Sequence, residues 1–94
     1  MEKFPYTELP EHIREGVRLW LEAGITPGSF LRSLLRNDLF QTVLRADSIN
    51  RAELPHIIRW FVQYAPEGSY GSAKVFSQWP MYLKALERQE NSNG

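Results

Sequence analysis

Ninety-four residues, 11 Lys+Arg against 11 Asp+Glu, 43% hydrophobic side chains and no cysteine describe one small domain with apolar material for a single core. They exclude a two-domain enzyme, a disulfide framework, a thiolate zinc site and a cysteine nucleophile. Formal neutrality withholds the broad attraction to phosphate of general nucleic-acid binders, and no apolar run approaches the roughly 18 residues of a membrane span.

The opening MEKFPYTELP carries two prolines and no helical period, so residues 1–9 read as an extended arm whose Phe4 and Tyr6 pack onto the body. Its first residues lack the apolar stretch of a signal peptide, which predicts a cytosolic protein. A first helix starts at Pro10, with Ile13, Val17, Trp20 and Leu21 on one face and Gly24 as a left-handed stop. Thr26-Pro27-Gly28-Ser29 announces a second helix with Phe30, Leu31, Leu34 and Leu35 inward, and Asn37-Asp38 predicts a break, with Asp38 and Gln41 spaced as a capping box.

A short third helix follows, with Leu39, Phe40, Val43 and Leu44 expected inward. Asp47 and Ser48 offer caps for the next segment, in which Leu54, Ile57, Ile58, Phe61, Tyr64 and Ala65 form a wide stripe bordered by Trp60. Pro55 lies inside that pattern. A start near Asp47 makes it a kink, a start near Ala52 places it in the first turn, and the pattern favours one kinked helix. Residues 65–71 form a turn-rich loop, Ser72 caps a last helix with Val75, Phe76, Trp79, Tyr82, Leu83 and Leu86 inward, Pro80 interrupts it, and residues 90–94 read as a frayed tail. The expectation is an all-α protein, a compact bundle of four to five helices with short loops, forming one domain over residues 1–94.

The polar residues form no recognisable catalytic or cofactor constellation. His12 and His56 stand alone with no second ligand at metal spacing, and ordinary boundary histidines explain them. Residues 68–72 could hold an anion on backbone N–H groups, but a turn followed by an N-cap explains them fully. Neither catalytic, cofactor nor metal residues are assigned.

Charge and aromatic placement say more. Residues 1–26 carry five acids and three bases, whereas Arg32, Arg36, Arg45, Arg51 and Arg59 outnumber Asp38, Asp47 and Glu53 in the middle third. Arg32 and Arg36 lie one turn apart, and Arg suits bidentate contacts at interfaces. Phe30, Phe40, Phe61, Tyr64, Phe76 and Tyr82 fall on inward stripes; Trp20, Trp60, Trp79, Phe4, Tyr6 and Tyr70 fall on borders, the arm or a loop. A bundle this small cannot enclose twelve aromatic rings, so some form an association surface. Candidate interface residues are Trp20, Trp60, Tyr70, Arg32, Arg36, Asn37 and Asp38, with local capping as the simpler account of the last two.

The blocks GITPGSFL (24–31), LRNDL (35–39), RAD (45–47) with Asn50, LPHIIRW (54–60), and YAP (64–66) with Gly71-Ser72 resemble a family of short helical proteins of bacteriophages, prophages and plasmids. The resemblance spans about residues 9–80 and implies a mobile-element setting, with no activity or functional residue to carry over. The expected function is that of a non-enzymatic accessory protein, cytoplasmic in a bacterial host, that binds a host protein or complex without cofactor. Inhibition of a host defence system, in the manner of an anti-CRISPR protein, is the concrete version. The alternatives are a small DNA-binding regulator, with residues 39–46 and the following helix as a helix-turn-helix presenting Arg51 and Arg59, and a self-assembling structural protein.

Overall fold

A computed structural model describes residues 3–92. Among these are a 3-10 turn, Tyr6–Glu8, and five α-helices: α1 (Glu11–Ala23), α2 (Ser29–Leu35), α3 (Leu39–Arg45), α4 (Ser48–Tyr64) and α5 (Ala73–Ser92). No described residue is in a strand, and the expected all-α bundle with short connections is what forms. The arm is not fully extended, because residues 6–8 coil into the 3-10 turn. The tail expected to fray from residue 90 is helical through Ser92; Asn93 and Gly94, like Met1 and Glu2, lie outside the described residues.

Local chemistry sets most boundaries. Gly24 ends α1 at φ 68°, and the amides of Gly24 and Ile25 reach back to the carbonyls of Trp20 and Leu19. A Cβ at Gly24 would lie 3.1 Å from both Cα and Cβ of Pro80, so the stop of α1 is also where α5 crosses it. Gly28, not Thr26, occupies the N-cap of α2. That helix closes on Asn37 at φ 59°, with Asn37 N–H donating to Leu34 O (3.0 Å) and Asp38 N–H to Ser33 O (2.9 Å), a Schellman closure. Asp38 then caps α3 by accepting from Gln41 N–H at 3.3 Å, Asp47 caps α4 from Asn50 N–H at 2.7 Å, and Ser72 caps α5 from Val75 N–H at 3.1 Å. Helix α4 runs from Asp47 through Pro55 as one helix, and α5 likewise through Pro80.

The core keeps part of the expected division of the aromatics, with Phe30 and Phe61 buried and Tyr64 and Phe76 packed against it, and overturns the rest. Trp20, Trp60 and Trp79 are 1%, 2% and 1% exposed, and Tyr6 of the arm is buried beside them. Phe40 and Tyr82, expected inward, face solvent, as does Leu86. The reason is that each indole finds an acceptor inside: Trp20 Nε1 donates to Ser69 O (2.9 Å), Trp60 Nε1 to Pro5 O (3.0 Å) and Trp79 Nε1 to Trp20 O (2.8 Å). Trp20 and Trp60 are therefore core residues, and neither forms part of an exposed interface.

The arm is fastened by one stripe of α4. His56, Trp60 and Tyr64, four residues apart, reach Glu8 O (2.6 Å), Pro5 O and the Glu8 carboxylate (3.2 Å), while the Tyr6 ring stacks on Trp60 at 5.8 Å and its hydroxyl donates to Glu22 (2.6 Å). Because a carbonyl only accepts, His56 Nε2 carries a proton. Burial, then the charge of Glu8 and the bond to it, hold the Tyr64 phenol above its ordinary value.

Trp79→Phe removes the bond to Trp20 O and leaves a smaller ring in a fully buried site, and should lower unfolding stability by at least about 1–3 kcal/mol in urea titration. Gly24→Ala, strained in φ and crowded against Pro80, should cost at least about 1 kcal/mol by the same measurement.

Candidate functional site

Helix α3 is the outlier of the fold. Its seven residues are too few for a helix to stand alone in water, so it depends on its caps and on α2 beside it. What it buries is not the expected stripe but Thr42, whose hydroxyl donates to Asp38 O at 2.6 Å, together with Ala46 at its end. Thr and Ala pack closely, and that choice of inner face turns the four large apolar side chains outward. Leu39 and Val43 are exposed, and Phe40 and Leu44 are 80% and 71% exposed.

Helix α4 contributes a second uncovered row. Its stripe proved wide enough to serve two faces: Ile57, Trp60 and Phe61 are in the core, while Ile58 is exposed and Val62 is 67% exposed. Leu54, Ile58 and Val62 recur every four residues and so form one ridge along the helix. This ridge and Leu39 line a groove of about 220 Å³ together with buried Phe61 and Thr42 and with Leu34, Asn37, Tyr70 and Gly71. Burying one Val, Leu or Phe side chain is worth about 1.5–3 kcal/mol, so a face with this many unburied gains substantially when covered.

The candidate interface residues divide accordingly. Asn37 and half-buried Tyr70 line the groove, Asp38 adjoins it as the α3 cap, and Arg36 immediately precedes Asn37 at the end of α2. Arg32 is exposed on α2 but does not line the groove. Trp20 and Trp60 lie in the core, away from it. The residues that sequence reasoning missed are Leu39, Phe40, Val43, Leu44, Ile58 and Val62. The pattern pointed the other way: Leu39, Phe40, Val43 and Leu44 fall within about 140° of one another on α3, an ordinary core-facing stripe, with Gln41, Thr42 and Arg45 opposite, yet the structure buries the Thr42 side.

No family model, curated protein or solved structure matches the chain. His12 and His56, separate in sequence, line one open concavity of about 690 Å³ with Glu8, Glu11 and Glu53. Among the described residues no three His, Asp or Glu side chains stand close enough to hold a metal. His12 Nε2 instead meets Asp47 Oδ2 at 3.5 Å, an exposed pair worth little, and His56 is spent on the arm.

The 68–72 loop is also internally committed. Ser69 is buried, its hydroxyl donates to Pro66 O (2.6 Å), its carbonyl receives Trp20, and Gly71 N–H donates to Leu35 O (2.9 Å) at the end of α2. With Ser72 capping α5, the turn-and-cap account holds and few N–H groups are left to face an anion. No described helix is long and apolar enough to cross a membrane.

If the α3–α4 face is an uncovered surface, not part of the core, then Phe40→Glu and Val62→Glu, made singly, should change unfolding stability by no more than about 0.5 kcal/mol. Phe61→Ala one position away, which opens a buried cavity, should cost about 3–5 kcal/mol in the same denaturant series.

Proposed function

We propose that this chain is a non-enzymatic binding protein that works by docking its α3–α4 face onto another protein. Phe40 carries this reading: a large aromatic side chain, 80% exposed on a helix with three other exposed apolar residues beside a groove, is the arrangement of an interface anchor. In the mobile-element setting that the family resemblance implies, the partner is a protein of the bacterial host and the work is done in its cytoplasm. Stoichiometric occlusion of a defence complex, as by an anti-CRISPR protein, is the concrete form of that action. It needs no cofactor and no catalytic constellation, only a surface that stays bound.

A DNA-binding regulator suits this face less well. In the helix-turn-helix reading α4 enters the DNA groove with Arg51 and Arg59, but the exposed Ile58 and Val62 of the same helix would go with them, whereas recognition helices present mainly polar and cationic side chains there.

The test is affinity capture from bacterial host lysate with the tagged wild-type chain, Phe40→Glu and, as a surface control on α5, Lys84→Glu. A stoichiometric protein should be recovered by the wild type and by Lys84→Glu, and its recovery should fall at least about tenfold with Phe40→Glu. Equal recovery with Phe40→Glu would overturn docking through this face. A duplex-DNA mobility shift that weakens steeply with salt but ignores Phe40→Glu would establish the regulator instead.

A further inference from the structure

We infer that the segment seated in the α3–α4 groove is an amphipathic helix whose apolar stripe is flanked by Asp or Glu; this rests on the docking reading above. The shape argues for a helix. Leu54, Ile58 and Val62, one helical turn apart, run about 12 Å along α4 and line the groove together with Leu39. A partner helix with apolar residues at i, i+3 or i+4, and i+7 matches that length, and helical ridges pack into such furrows. Addition of an extended peptide as a further strand is not available to this face, because the described residues contain no strand. A volume of about 220 Å³ is small for a drug-sized ligand but suits the tip of an anchoring side chain.

Charge argues for acid. Arg36 precedes the groove residue Asn37, Arg51 lies seven residues before Ile58 on the same face of α4, and Arg59 adjoins Ile58. All three are exposed. Arg36 and Arg59 have no hydrogen-bond or ion-pair partner among the described residues, and Arg51 donates only to Ala46 O (3.2 Å). The one carboxylate beside the groove is Asp38, already accepting from the first turn of α3. Glu53 and Asp47 are turned elsewhere, Glu53 to the histidine concavity and Asp47 to His12. An apolar furrow with Arg36 and Arg59 next in sequence to its lining residues Asn37 and Ile58, both side chains exposed and without a partner among the described residues, is complementary to a helix with carboxylates beside its apolar stripe. The same excess opposes a second copy, because a two-fold contact would bring arginine edges against each other.

Fluorescence anisotropy with the full chain and three labelled synthetic helices tests this. The helices share one Leu stripe and are matched in helicity, and they carry Glu, Gln or Lys on its flanks. The Glu-flanked helix should bind about tenfold more tightly than the Lys-flanked one, the Gln-flanked helix should fall between, and added salt should narrow the spread. The Arg36→Glu/Arg59→Glu double variant should remove or invert the preference, while Lys84→Glu leaves it unchanged and Val62→Glu weakens all three.

Equal affinity for the three helices, lost together in Val62→Glu, would overturn the acidic partner and leave docking standing. No binding by any of them, with a dimer in sedimentation that Val62→Glu dissolves, would assign the groove to a second copy and overturn the inference. No binding and a monomer would overturn it too, and capture with Phe40→Glu, which depends on no peptide, then decides separately whether docking falls.

Discussion

Three indole N–H groups hold this protein together. Each of Trp20, Trp60 and Trp79 spends its single donor on a carbonyl distant in sequence: Ser69 in the α4–α5 loop, Pro5 in the arm, and Trp20 itself near the end of α1. The first and last links form a chain, since Trp79 bonds the backbone of the residue whose ring bonds the loop. Trp20 also stacks on Phe76, at 4.4 Å, and Trp60 on Tyr6. In a chain this short, few elements contact many others, so a large ring that contributes area and a directed bond at once does more than an aliphatic residue in the same place. The left-handed Gly24 follows from the same requirement, because Pro80 can lie against the end of α1 only where no side chain stands.

A core closed by tryptophan has a consequence at the surface. The rings fill the space among α1, α4, α5 and the arm, and that volume leaves no inward place for the large side chains of α3. The helix attaches through Thr42 and Ala46, the two small residues it can bury, and its Leu and Phe residues turn outward. The wide stripe of α4 is divided by the same event, with Ile57 and Phe61 taken into the core and Ile58 and Val62 left beside α3. The apolar face is thus the remainder of a core completed by other residues.

What was legible in the sequence was local. Gly24, Asn37-Asp38, Asp47 and Ser72 mark helix ends through interactions spanning three to five residues, and each acts where the pattern placed it. What was not legible was which side of an element meets the body. Trp20 and Trp60 sit at stripe borders by periodicity, yet their polar edge is what lets them go inside, because the acceptors come from Ser69 and Pro5, about fifty residues away. For α3 the period misleads, since Leu39, Phe40, Val43 and Leu44 make one apolar stripe and the side that is buried is the opposite one, with Thr42. The half of the site that was found, Asn37, Tyr70 and Arg36, came from turns and charge; the half that was missed came from assuming that apolar means inward.

The attachment of α3 also bears on how the face would behave once covered. A seven-residue helix keeps its shape here by the Asp38 cap, the Thr42 bond to Asp38 O, and Arg51 bonding the carbonyl of Ala46 at its end. These are modest interactions at the edge of the body, so α3 belongs to the least stable part of the fold. A partner lying in the groove would touch Leu39 on one side and Ile58 and Val62 on the other, and would bridge α3 to α4 through side chains that nothing within the chain covers. Part of the binding free energy would then go into holding α3 in place. The affinity of the face is for this reason tied also to the bonds that hold its two helices: Thr42, within the groove, anchors the start of α3 through Asp38 O, and Asp47, outside it, caps α4.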